Sequence, residues 1–179
     1  MSDDKSKSLD EFGVYTLFSD IDEESVEDAV RFVLEANLNK IHKELTLFIN
    51  SHGGEVGSGF ALIDVMAGSK IPIRTVGIGN LGSMGLTIFI AGHKGKRILT
   101  PNTSILCHQW AGWLDGKEHE LFAAVKHHEL LRDKMIKHYR KHTGLTEQEV
   151  KEYLFPPHDV WLTAAEAKSY GLCDVVKQV

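Results

Sequence analysis

The chain has 179 residues, 42% hydrophobic and 25% charged, enough to bury a substantial core in one globular domain and too few for two of ordinary size. A formal net charge of −5 excludes the broad basic field that draws nucleic acid or an anionic membrane. No basic-then-apolar export signal opens the chain, and the longest apolar stretch, Leu86 to Ala91, is far too short to span a bilayer. The two cysteines, Cys107 and Cys173, form no C-x-x-C pair, so the chain reads as a cytoplasmic protein with reduced thiols.

Residues 2–8 are polar and mixed in charge and read as a disordered leader reaching to residue 12. A short strand is expected over Gly13–Phe18. Asp20–Glu24 then supply capping carboxylates for a helix carrying Val26, Ala29, Val30 and Val33 at helical spacing. Leu45–Ile49 reads as a strand stopped by Asn50-Ser51-His52-Gly53-Gly54, with a second helix over Phe60–Met66. Ile71–Ile78 predicts a strand, Gly79–Gly82 a turn, Ser83–Ala91 a short buried helix, and Lys96–Leu99 and Thr103–His108 two more strands. Strand, glycine turn and helix thus recur three times, the pattern of an α/β fold with a largely parallel sheet. Lys117–His142 is long, charged and amphipathic around Leu121, Phe122, Val125, Leu131, Met135 and Tyr139, and stops at Gly144. It exceeds what a small sheet can cover, so part of it projects, and a projecting apolar face predicts self-association. Thr146–Glu149 is a capping box for a short helix, Pro156-Pro157 breaks the chain, and Thr163–Tyr170 is a final helix before Leu172–Val176.

The candidate chemistry centres on Ser83, in Gly79-Asn80-Leu81-Gly82-Ser83-Met84-Gly85. A serine hydroxyl is a poor nucleophile at neutral pH until an imidazole takes its proton, and flanking glycines let the backbone turn sharply and leave amides open to an oxyanion. His108, at the end of its strand, is the candidate base. Asp115, Asp159 and Asp174 all lie downstream as candidate orienters of the imidazole, and His158 stands beside Asp159. Gly77-x-Gly79-x-x-Gly82 also satisfies the dinucleotide-binding pattern, but the chain has no Asp or Glu between Asp64 and Asp115 to hold a ribose.

The ten histidines make no metal signature. His119-Glu120 is followed by Ala123 and His128-Glu129 by Arg132, so neither completes H-E-x-x-H, and His42-Lys43-Glu44 lacks the P-C-x-x-C of zinc deaminases. His138 and His142 read as part of a solvated, charged helix face. Gly92–Arg97 does not make a P-loop. No metal, cofactor or nucleotide is expected on this chain.

Several ordered blocks resemble the Clp proteolytic subunit (ClpP) family over roughly residues 13–176. They are Phe48-Ile49-Asn50-Ser51-His52-Gly53-Gly54, Gly82-Ser83-Met84-Gly85, Ala91-Gly92-His93-Lys94-Gly95-Lys96-Arg97, Pro101-Asn102, His108-Gln109, His142-Thr143-Gly144 and Leu162-Thr163-Ala164-Ala165-Glu166-Ala167 with Tyr170-Gly171-Leu172. The resemblance implies repeated β-β-α units of the ClpP/crotonase type in one peptidase domain over residues 13–179, with a handle-like oligomerisation helix over 117–144. It implies a serine endopeptidase with Ser83 as nucleophile, His108 as general base, Asp159 as orienter, and the amides of Gly54 and Met84 as oxyanion hole. It further implies heptameric rings paired as a tetradecamer, peptides and unfolded chains as substrates, and a separate AAA+ ATPase unfoldase as partner. The chain departs from the family pattern at His52, where proline is usual, at Pro156-Pro157-His158, about two residues longer, and in a short polar segment before Gly13. Two other readings stand beside this one: a non-catalytic ring subunit, and a crotonase-type acyl-CoA hydratase or isomerase. The crotonase reading wants an acidic residue near the second glycine turn, where this chain has none.

Overall fold

The computed structural model describes residues 8–109 and 115–179. The expected leader lies mostly outside these residues. Within them, Leu9–Phe12 form a single 3-10 turn, closed by Gly13 at φ 70°, where the leader was expected to continue. Among the described residues no helix is long and apolar enough to cross a membrane.

The strand β1 (Val14–Leu17) leads to the helix α1 (Glu23–Asn39). The Asp22 carboxylate accepts the Ser25 amide at 2.8 Å while Ser25 Oγ accepts the Asp22 amide, satisfying two donors that a helix start leaves unpaired. Val26, Ala29, Phe32, Val33 and Ala36 form the stripe that α1 buries. In β2 (Leu45–Ser51) every second residue, Leu45, Leu47, Ile49 and Ser51, is buried, as the two-residue period of a strand dictates. The helix α2 (Val56–Gly68) follows and packs on α1.

The turn expected over Gly79–Gly82 is instead strand: β3 runs unbroken from Ile73 to Gly82. Gly79, at φ 63°, bends it where the pairing with β2 shifts register between Ile49 and Ser51, and Asn50 Oδ1 accepts the Asn80 amide at 3.0 Å across the bend. Before the bend β3 pairs with β4 (Arg97–Leu99); after it, with β5 (Ser104–Cys107). The eight-residue helix α3 (Ser83–Ile90) begins immediately at the end of β3. A strand not expected from the sequence, β6 (Val160–Thr163), runs antiparallel to β5. The helix α6 (Ala164–Ser169) and the short β7 (Val175–Val176) close the chain, giving a sheet of order β1-β2-β3-β4-β7 with β5 and β6 branching from the far half of β3. Every pairing but β5–β6 is parallel.

The long helix α4 (Glu118–Thr143) has 26 residues, or ~39 Å at the standard rise, and stops at Gly144 at φ 84°. Its buried residues, Met135, Ile136, His138 and Tyr139, all lie in the second half, whereas Leu121, Phe122, Val125 and Leu130 are exposed, Phe122 at 69%. The first half therefore leaves its apolar side chains uncovered by the rest of the described chain. Beyond it the short helix α5 (Glu147–Glu149) runs into a wider turn over Val150–Leu154.

The second half of α4 is fixed at its end by Arg97, only 3% exposed. The guanidinium donates to both carboxylate oxygens of Asp174, at 2.7 and 3.0 Å, and to the His142 carbonyl at 3.0 Å. Burial would raise the Asp174 carboxyl, but the Arg97 bonds and charge outweigh it and hold the carboxyl below its ordinary range.

His138 and His142 overturn the expectation of a solvated face: His138 is buried and His142 half-buried, with ring centroids 4.4 Å apart. Burial, with Lys141 nearby, pushes the His138 imidazole down to about 4, and burial with His138, Lys141 and Arg97 does the same to His142. Both rings are neutral in the fold near neutrality, whereas an unfolded imidazole protonates below about 6.5. Between those values the unfolded chain holds more protons, so stability falls as pH falls. Urea unfolding at pH 7 and pH 5 is expected to differ by about 2 kcal/mol on account of His138, and by less in His138→Gln. An equal pH response in the two proteins refutes this assignment.

Candidate active site

Ser83 is the first residue of α3 and has φ 48°, in the left-handed region. The one other described non-glycine residue with positive φ, Lys40, caps the end of α1, where such a conformation is ordinary. A non-glycine residue held there costs about 1–3 kcal/mol and persists only where its surroundings over-determine it. Here the surroundings are backbone. A methyl group on Gly53 would lie 2.6 Å from Ser83 Cβ and 3.0 Å from the Met84 nitrogen; one on Gly82, 2.7 Å from the His52 carbonyl oxygen; one on Gly85, 2.7 Å from the Ser51 carbonyl oxygen. The end of β2 thus lies against the Ser83 turn with no side chain between them.

The same loop is pinned from its other side. The Ile21 amide donates to the Gly53 carbonyl at 2.8 Å, and the Glu55 amide to the Ile21 carbonyl at 2.7 Å. Gly54 sits between them at φ 147°, exposed, and its own N–H has no acceptor among the described residues. Met84 is the second residue of α3, so its amide is one of the first-turn donors without an intrahelical partner, at the positive end of the helix dipole. Its side chain is buried against Gly59 of α2, and a side chain at Gly53 would crowd the Met84 amide, 3.0 Å from its nitrogen, where glycine leaves room. Of the two expected oxyanion donors, then, the Gly54 N–H has no acceptor among the described residues, and the Met84 amide stands at the helix start on the side that Gly53 approaches.

Strand register brings the other two expected residues to the same end of the sheet. Gly82 pairs with Leu106, two positions before His108, so Ser83 and His108 leave neighbouring parallel strands side by side. The antiparallel ladder ends at the pair Cys107 and Val160, directly beside which stand His108 on one strand and Asp159 on the other. His108 and Asp159 line one cavity of about 190 Å³ with Gln109, Pro156, Pro157 and His158. Gln109 Nε2 donates to the Phe155 carbonyl at 3.0 Å, tying the chain after His108 to the loop that carries Asp159. Ser83 and His108 are half-buried and Asp159 is exposed. Among the described residues no hydrogen bond joins the three side chains in this conformation.

Of the alternative orienters, Asp174 is fully engaged by Arg97 and by the amides of Gly95 and Arg97. Asp115 stands outside the β5–β6 ladder, shortly before α4. Sequence reasoning missed β6, although Val160-Trp161-Leu162-Thr163 has the β-branched and aromatic composition of a strand. It also missed Gln109 as the tie to the Asp159 loop.

Gly53→Ala is expected to destabilise the protein by about 1–3 kcal/mol, through the φ of 113° and the contact with Ser83. Gly57→Ala, with open space around its Cα inside α2, is expected to be neutral or stabilising by about 0.5 kcal/mol. Urea unfolding of the two variants reads the difference, and equal effects contradict the close approach.

The Clp protease family model matches residues 2–179 of the chain. The α/β sheet, its repeated strand-to-helix units and the long helix α4 agree with that match. The chain belongs to the Clp protease family.

Proposed function

We propose that this chain is a serine endopeptidase in which Ser83 is the nucleophile, His108 the general base and Asp159 the orienter of the imidazole. The observation that carries the reading is the left-handed backbone of Ser83 at a strand-to-helix turn, a conformation that lifts a side chain clear of the sheet end. The register of β3, β5 and β6 supports the assignment of the other two. In the proposed reaction Ser83 Oγ attacks the scissile carbonyl while His108 takes the hydroxyl proton. The tetrahedral oxyanion is met by the Gly54 and Met84 amides, an approach that the lack of a side chain at Gly53 leaves room for. His108 then gives its proton to the leaving amine, and water, deprotonated by the same imidazole, releases the acyl group from Ser83.

We further infer that the chain works in a closed oligomer, heptameric rings paired as a tetradecamer in a reducing, cytoplasmic compartment, with an AAA+ ATPase unfoldase supplying unfolded chains. The exposed Leu121, Phe122, Val125 and Leu130 on the first half of α4 support a contact between copies. A second reading, a non-catalytic ring subunit, is favoured by the missing hydrogen bonds among Ser83, His108 and Asp159.

A fluorophosphonate that labels serine nucleophiles separates these readings. The assembled wild type is expected to be labelled and to cleave short peptides, Ser83→Ala to do neither, and His108→Ala and Asp159→Asn to lose about 10³–10⁶ and 10⁴ in kcat, respectively. Intact rings that neither react nor cleave would leave the non-catalytic reading standing.

A further inference from the structure

The short helix α3 is bonded to α4 one turn behind Ser83. The Thr87 hydroxyl donates to the Ser83 carbonyl at 2.9 Å, a shorter contact than its 4.0 Å approach to Met135 Sδ. Its single proton is thereby committed, so at the 3.3 Å contact with Tyr139 the phenol O–H is the donor and Thr87 Oγ1 the acceptor. His138 Nε2 lies 2.9 Å from the Thr87 carbonyl, which can only accept, so this ring carries its proton on Nε2. That carbonyl needs an outside donor. α3 ends with the Ala91 amide turned to Ile88 at 3.1 Å, which leaves Thr87 without the partner a longer helix would supply. The Phe89 carbonyl, by contrast, accepts both the Gly92 amide at 3.2 Å and the Thr75 hydroxyl at 2.8 Å.

An eight-residue helix is marginal by itself, and this one begins in a strained residue. We propose that Thr87, Tyr139 and His138 are positioning residues for Ser83, gripping α3 by its Ser83 and Thr87 carbonyls so that the left-handed Ser83 backbone is the populated conformation. The inference rests on the reading of Ser83 as nucleophile. Tyr139 reaches both halves of the site: its hydroxyl is on Thr87, and its ring meets Phe155 edge-on at a centroid distance of 4.9 Å. Phe155 in turn is the residue whose carbonyl binds Gln109 beside His108. Burial holds the phenol far above its ordinary range, so it remains a donor at any working pH.

The test measures the second-order rate of fluorophosphonate reaction with Ser83, and kcat and KM for a short peptide, in the full-length assembled protein. Tyr139→Phe and Thr87→Val are each expected to slow acylation about 3- to 10-fold with KM unchanged. Because they break one chain of bonds, the double variant is expected to be no slower than the slower single one. His138→Leu is expected to slow the reaction and His138→Gln, which keeps a donor within reach, to restore most of it. Equal acylation rates in wild type and Thr87→Val overturn the inference alone, as does slowing that multiplies in the double variant. A wild-type Ser83 that does not react at all removes the nucleophile reading and this inference with it.

Discussion

The contact on which the site depends is between two stretches of main chain. The end of β2 at Ser51-His52-Gly53 and the turn at Gly82-Ser83-Met84-Gly85 approach so closely that a methyl group at Gly53, Gly82 or Gly85 has no room. Beside this contact Ser83 has a φ of 48°, a conformation serine seldom adopts and keeps only where its surroundings over-determine it. On the far side, the hydrogen bonds of Ile21 to Gly53 and of Glu55 to Ile21 keep the glycine loop from retreating. Glycine here permits the approach.

Around that contact the molecule divides into a rigid base and an open rim. The base is apolar and continuous, from Leu45, Leu47 and Ile49 of β2 through the buried α3 to Met135, Ile136 and Tyr139 of α4. Buried polar groups within it are paired: Arg97 with Asp174 and the His142 carbonyl, Thr75 with Phe89, His138 with Thr87. Among the described residues no buried side-chain nitrogen or oxygen lacks a partner. A buried ion pair does not by itself add stability, but a broken one costs several kcal/mol, so Arg97 fixes where the chain end meets α4. The rim is different. His108, Gln109 and the Pro156–Asp159 loop surround a small cavity and are tied to the base by the Gln109–Phe155 bond. The exposed first half of α4 lies beyond the base, its apolar side chains uncovered.

This division bears on how the proposed chemistry is controlled. The proposed nucleophile sits on the rigid side, gripped by β2 in front and α4 behind, while the proposed base and orienter stand on the rim without hydrogen bonds to it. A contact between copies along α4 would act on the helix that carries Tyr139 and His138, and through Thr87 on the backbone of Ser83. Assembly and the geometry of the site would then be mechanically linked.

Much of this was legible in the chain itself. Capping residues at Asp22, Thr146 and Thr163, the two-residue burial period of β2 and the glycine stop at Gly144 are local effects, set by side chains within one turn of the positions they govern. The blocks around Ser83 and His108 marked the candidate residues. What the chain did not disclose depends on neighbours distant in sequence. Gly79–Gly82 looks like a turn and becomes strand, because Asn50 and β5 supply partners for it. His138 and His142 look like a solvated face, yet His138 is buried against Phe60 of α2 and the Thr87 carbonyl of α3, and His142, its ring tilted against that of His138, is half-buried. Among the three downstream aspartates the resemblance pointed to Asp159, and only the fold adds that Arg97 engages Asp174 while β6, paired with β5, leads out of Asp159. Sequence alone determined which residues could carry the chemistry, since that follows from side-chain type and local spacing. Tertiary structure alone decided which strand ends lie side by side and how closely the glycine loop approaches the Ser83 turn, since strand register and backbone clearance are properties of segments that find each other only in the folded chain.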